Sequence, residues 1–375
     1  MKRRNGAALP RTLLVLILAL TAGTYIWAHL TSPEYRPGTA IPPGPEATVA
    51  LARVEASPGG SGATTPETPA PAARAPEPEA EAAPVPGRAY RAPGTPTYPP
   101  AGLAVRGPLS AAPDPALVRD TPSGKLPAVG HDGRKPWRVY ARPFDRDDKR
   151  PRVAVVVSGL GLDRAATEAA IGALPGAVTL SFSVYAPALD DWIGRARAAG
   201  HEVLLDIPME PADYPRTDPG PRVLLTSLSE TENRARLHWA LGRAAGYVGA
   251  VGDMGSRFTG SRRHLLPVLT ELASRGLLFL DTREAPRSLA PELATRIGMP
   301  WAASTVALDG FASRAELDVQ LTRLERFAKE DGRSIGRAAA TPLSVGRIAS
   351  WAWRLDARGV ALAPVSALTR TGPTG

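Results

Sequence analysis

The chain has no cysteine. Disulfides, thiolate metal sites and a cysteine nucleophile are therefore excluded. This fits an oxidising compartment managed without disulfides, and does not require one. No run of lysine and arginine is interleaved with aromatic residues, which make up 6% of the sequence, so nucleic acid is not an expected partner despite the formal charge of +9. That excess is assigned to Lys2, Arg3, Arg4 and Arg11 and to a solvated, arginine-rich surface. A G-x-S-x-G elbow is also lacking, and no histidine is placed to activate Ser158, which reads as a small residue in a tight turn. The turn Ser158-Gly159-Leu160-Gly161 is not a G-x-G-x-x-G fingerprint, so a Rossmann dinucleotide site is not supported.

Charge is absent from one stretch, TLLVLILALTAGTYIWA at 12–28, and four cationic residues precede it. Tyr25 and Trp27 suit an interfacial belt, and no clean small-x-small site follows the run. Residues 1–30 therefore read as a signal anchor, favoured over a cleaved signal. It would form one transmembrane helix in the inner membrane, with the rest of the chain in the periplasm. Of the 40 prolines, 22 lie between 31 and 130 and only 15 from residue 151 onward. Residues 31–130 are expected to be a disordered Pro/Ala-rich linker, since such composition buries too little apolar surface to offset chain entropy. Residues 131–150 read as a leader packing on the domain, with a short strand in KPWRVYARPF at 135–144. One domain, 151–370, is left.

Within it, near-continuous apolar runs alternate with amphipathic stretches. The runs are 152–158, 177–183, 202–208, 247–253, 277–281, 304–309, 333–336 and 360–366. Runs without polar alternation suit parallel strands covered on both faces. Between them, Ser229-x-x-Glu232 and Ser313-x-x-Glu316 are capping boxes, and Thr341-Pro342 is a cap with proline at the first helical position. Gly200, Gly246, Gly276, Gly298, Gly332 and Gly359 suit left-handed C-terminal caps. Seven or eight such units predict an α/β fold, a deformed (β/α)7-8 barrel, with an open doubly wound sheet as the alternative. Ligands meet the C-terminal strand ends in either case. Those ends are Ser158, Ser183, Asp206, Asp253, Asp281, Asp309, Arg337 and Ser366.

HEVLLDIPMEP (201–211), GDMGSRFT (252–259), FLDTREAPRS (279–288) and LAPVSAL (362–368) resemble the divergent polysaccharide deacetylase family, over about 152–368. The resemblance implies the deacetylase-type barrel, and metal-dependent removal of N- or O-acetyl groups from glycans as the ancestral chemistry. Departures accompany it. Where the family has Asp-Asp-Leu-Gly, this chain has Ser158-Gly159-Leu160-Gly161. Asp206 and Asp253 stand where histidines are common, and Gly336-Arg337-Ala338 replaces Gly-His-Pro. Asp281 and Asp309 match family carboxylates.

A catalytic zinc normally takes nitrogen from at least two histidines. His201 precedes its strand, and His238 and His264 fall in helical stretches, so zinc is not expected. No metal is assigned from the sequence; Asp206 and Asp253 are the candidate oxygen ligands if a hard divalent cation such as Mg²⁺ or Ca²⁺ is held. Asp206, Asp253 and Asp281 are the candidate catalytic carboxylates, expected to converge at one mouth. Glu210, Arg257, Arg283 and Asp309 are candidate substrate-binding residues, with an ion-pair network as the competing reading of Glu210 and Arg257. Met209 and Met254 are expected in the core, and Trp192 and Tyr214 either stack on sugar or pack. The chain would then act on or bind envelope carbohydrate. The other readings are a non-catalytic periplasmic barrel that binds glycan or protein, and a purely structural scaffold on a long spacer.

Overall fold

The computed structural model describes residues 109–311 and 313–372. The expected anchor and most of the proline-rich stretch lie outside them. Among the described residues no helix is long and apolar enough to cross a membrane.

A hairpin comes first, β1 (Val118–Thr121) antiparallel to β2 (Gly124–Pro127). Leu117 and Leu126 are buried. The hairpin turn lies so close to Gly242 that a Cβ there would fall 1.9 Å from the Ser123 carbonyl oxygen. The last part of the stretch expected to be disordered is thus part of the domain. Proline density over a long window hid a short segment with two buried leucines. The leader also differs from expectation: α1 (Pro136–Val139) is a helix, not a strand. Pro136 takes the first helical position, where a missing N–H is harmless. Trp137 and Tyr140, three residues apart, are both buried.

Six of the eight apolar runs become strands, whereas 304–309 keeps only Val306–Ala307 as strand and 360–366 only Ala361–Leu362. In chain order the elements are β3 (Arg152–Leu160), α2 (Arg164–Ala173), β4 (Thr179–Ser183), α3 (Leu189–Ala198), β5 (Val203–Pro208), α4 (Glu230–Leu241), β6 (Gly249–Asp253), α5 (Arg262–Ser274) and β7 (Leu278–Asp281). There follow α6 (Ala290–Arg296), β8 (Trp301–Ala303), β9 (Val306–Ala307), α7 (Arg314–Asp331), β10 (Arg333–Ala339), α8 (Pro342–Ala352) and β11 (Ala361–Leu362). Both predicted capping boxes form, and Thr341 caps α8. All six predicted cap glycines sit at positive φ, between 67° and 91°.

The strands form a curled parallel sheet in the order β8-β7-β6-β5-β4-β3-β10-β9, with β11 beside β3. Its two ends are consecutive in sequence: β8 pairs with β7, Ser304 and Thr305 intervene, and β9 pairs with β10. One strand is therefore split between two neighbours. The curl, with helices outside, is consistent with a deacetylase-type (β/α) barrel.

Alternation along each strand divides the core in two. Val153, Val155, Val157, Val203, Leu205, Ile207 and Phe279 join Leu237, Leu265, Leu321 and Ile348 of the helices. Ala154, Val156, Leu204, Val251, Leu280 and Ile335 face the interior, which Leu117, Trp137 and Tyr140 also join. This alternation decides which strand-end side chains reach the mouth.

Candidate site at the barrel mouth

Ser158, Asp206, Asp253 and Arg337 each lie two residues beyond an interior residue, namely Val156, Leu204, Val251 and Ile335. They therefore share the interior face at the C-terminal strand ends. Arg337 is the hub. Its Nη2 donates to Asp253 Oδ1 at 2.9 Å, and its Nη1 donates to Glu284 Oε1 at 3.0 Å and Asp309 Oδ2 at 3.3 Å. Its Nε donates to Ser158 Oγ at 3.3 Å. Only 16% of the Arg337 side chain is exposed, so these bonds act in a poorly solvated place.

Asp206 is buried beside this cluster. Ser181 Oγ donates to its Oδ1 at 2.5 Å, and the Gly159 N–H donates to Oδ2 at 2.8 Å. The β3 register shifts between Val157 and Leu160, and Gly159 has φ +79°, which turns that N–H onto the carboxylate. Burial raises the Asp206 pKa, although both hydrogen bonds oppose it. Burial, then the Asp206 charge, push Asp253 up to about 7 even with Arg337 attached. Burial also raises Glu284. Three carboxyl groups, Asp253, Glu284 and Asp309, share the Arg337 guanidinium, with Asp206 buried beside them.

Asp281 does not join them. It lies two residues beyond Phe279 and in register with Gly252, on the helix-facing side. It is buried, and its Oδ1 accepts from the Arg283 N–H at 3.1 Å. The expected three-carboxylate convergence is thus two, Asp206 and Asp253, with Asp281 holding the following loop. An odd strand offset put its side chain on the other face.

Glu210 and Arg257 meet, but as a clasp. Glu210 Oε2 accepts from the Thr226 N–H and hydroxyl at 2.5 and 2.6 Å, and Oε1 accepts from Arg257 Nη1 at 3.2 Å. Arg257 Nη2 also donates to the Ala212 carbonyl at 2.6 Å. Both Glu210 oxygens are used within the protein, which favours the ion-pair reading over sugar contact. The Arg283 side chain makes no ion pair with Asp253, Asp281 or Glu210, and its backbone takes φ +60°. Met209 is buried as expected, whereas Met254 is 40% exposed at φ +56°, directly after Asp253. Trp192 is buried under Arg164 and Arg195 and is packing.

Residues 155–369, more than half of the chain, match the family model described as divergent polysaccharide deacetylase. The chain belongs to that family. A crystal structure of an uncharacterised protein from Agrobacterium tumefaciens C58 is similar at 40% identity and TM-score 0.64, covering 65% of this chain and 99% of that one. Among curated proteins, uncharacterised YibQ of Escherichia coli (strain K12) is 25% identical over 52% of this chain and 60% of its own length. An uncharacterised Haemophilus influenzae protein is 24% identical over 52% of this chain and 68% of its own.

In a polysaccharide deacetylase family, a divalent metal is the group the mouth would hold. The donors present do not fit one. Asp253 is bonded to Arg337, both Asp206 oxygens accept from Ser181 and Gly159, and among the described residues no three His, Asp or Glu side chains gather as a metal site. The imidazoles are engaged elsewhere: His201 with the Val178 and Ile171 carbonyls, His238 with Glu271, and His264 with Ser261. Arg337 supplies a fixed positive charge at the mouth instead. From sequence it was visible as a strand end and as a departure from the family pattern, not as the hub of the mouth. The signal that could have found it is its parity with Ile335 on the interior face. Glu284, on a loop, carried no such signal.

Proposed function

We propose that this divergent deacetylase binds a carbohydrate chain across the barrel mouth without metal-dependent acetyl removal. The Arg337 guanidinium at 2.9 Å from Asp253 carries this reading, because it fills with a permanent cation the position where hydrolysis would need an exchangeable one. Asp253, Glu284 and Asp309 keep oxygen lone pairs for sugar hydroxyls, while Arg337 fixes their positions. Exposed Met254 and Leu162, on the rim loops after β6 and β3, offer apolar contact to a sugar face. The N-terminal anchor would hold this barrel in the periplasm, with envelope glycan as the polymer.

The purified full-length protein is assayed for metal content, for acetate release from chitohexaose and peptidoglycan fragments, and for binding of the same glycans by calorimetry. Binding without acetate release, weakened at least tenfold in Asp253→Ala, is the expected result. Stoichiometric metal with acetate release would overturn the reading. Glycan affinity unchanged in Asp253→Ala would remove the mouth as the binding site.

A further inference from the structure

The split strand leaves a groove beside it. Arg333 and Ser334, the first residues of β10, pair only with β3, because β9 meets β10 only at Gly336 and Arg337. The resulting opening, about 910 Å³, is lined by Trp301, Phe327 and four arginines, Arg283, Arg323, Arg333 and Arg370. Asp331 is the single carboxylate on its wall. None of the four guanidiniums makes an ion pair among the described residues, unlike Arg337 or Arg347 nearby in sequence.

Two of these arginines are held with their forks available. Arg323 lies over the Phe327 ring at 5.2 Å, and Arg370 lies over the Trp301 ring at 5.5 Å. Trp301 is itself fixed, its indole N–H donating to Thr295 Oγ1 at 2.9 Å. Arg333 is half-buried near Arg370. Burial, then the Arg370 charge, push the Arg333 pKa down, which is the behaviour of a cation short of an anion. Planar guanidiniums with unused forks match carboxylate and phosphate groups.

We infer that this groove binds an anionic polysaccharide, whose acidic groups are held by Arg323, Arg333 and Arg370 and whose path leads past Arg283 to the mouth. Arg283 lies on the loop at the C-terminal end of β7, next to Glu284, which Arg337 holds at the mouth. The choice of a sugar polymer rests on the glycan reading of the mouth. The excess of arginine over carboxylate stands apart from it. Such a groove would select acidic from neutral glycans, which the mouth carboxylates cannot do.

The test titrates full-length protein with hexagalacturonate, cellohexaose and hexaglutamate, in the wild type and in an Arg323→Gln/Arg370→Gln variant. Both replaced side chains are exposed, and unchanged melting temperature verifies the fold. Hexagalacturonate is expected to bind, to weaken as salt rises, and to lose at least tenfold in affinity in the variant. An Arg323→Lys/Arg370→Lys variant is expected to recover part of that loss. No hexagalacturonate binding, or equal binding in the Gln variant, would overturn the inference. Hexaglutamate bound as tightly would also overturn it, by showing charge attraction without sugar recognition. If chitohexaose and peptidoglycan fragments fail to bind, or bind Asp253→Ala unchanged, while hexagalacturonate binds and responds to the arginine variant, the groove stands and the mouth reading falls.

Discussion

At the residue scale, the chemistry of the mouth is set by one cation serving several acids. Removing Arg337 leaves Asp253, Glu284 and Asp309 facing one another without a partner. Arg337→Met is expected to cost about 3–5 kcal/mol at pH 8, the usual cost of stranding a buried charge. The loss should be smaller at pH 5, where Asp253 takes up a proton, and urea unfolding at the two pH values measures it. Asp253 has its own pH signature. Its pKa is about 3.8 unfolded and about 7 folded, so the folded state holds the proton more tightly. Stability therefore falls as pH climbs from about 4 to about 7, then levels off. Asp253→Asn should flatten that slope, by on the order of 1–3 kcal/mol between pH 5 and pH 8. A wild-type profile as flat as that of the variant would mean that Asp253 ionises normally.

At the scale of elements, the turn from β3 to α2 carries the site, and two glycines in it do different work. Gly159 and Gly161 both have positive φ, at 79° and 90°. A Cβ on Gly159 would meet nothing within 4 Å, whereas one on Gly161 would fall 2.4 Å from the Ala186 Cβ. Gly159→Ala should therefore cost only the left-handed backbone penalty, about 1–2 kcal/mol. Gly161→Ala adds overpacking and should cost about 2–5 kcal/mol. Denaturant midpoints of the two variants measure the difference, and equal losses would show that the turn can move away from Ala186. The sequence Ser158-Gly159-Leu160-Gly161 announces a tight turn, because only glycine takes such φ cheaply. It does not announce that the Gly159 N–H lands on Asp206, 47 residues away.

At the scale of the whole molecule, the domain starts before the region its composition suggests. The hairpin of β1 and β2 adds Leu117 and Leu126 to the buried set. Burying each leucine is worth about 1.5–3 kcal/mol. A chain beginning at residue 109 should therefore melt several degrees above one beginning at residue 131, by calorimetry at equal concentration. Equal melting temperatures would make the hairpin an appendage.

By itself, the amino-acid sequence determined where most strands and helices of the barrel lie, where most helices are capped, and which family the barrel resembles. Those features follow from spacing, caps and turn residues within a few positions of one another. Strand parity could even have sorted Asp253 from Asp281, since it is a local count once the interior face is known. Only the tertiary structure decided that Arg337 fills the mouth, that Glu284 joins it from a loop, and that a strand splits to open an arginine-lined groove. Each depends on the register between strands distant in sequence and on closure of the curl, and neither is encoded in any short window of residues.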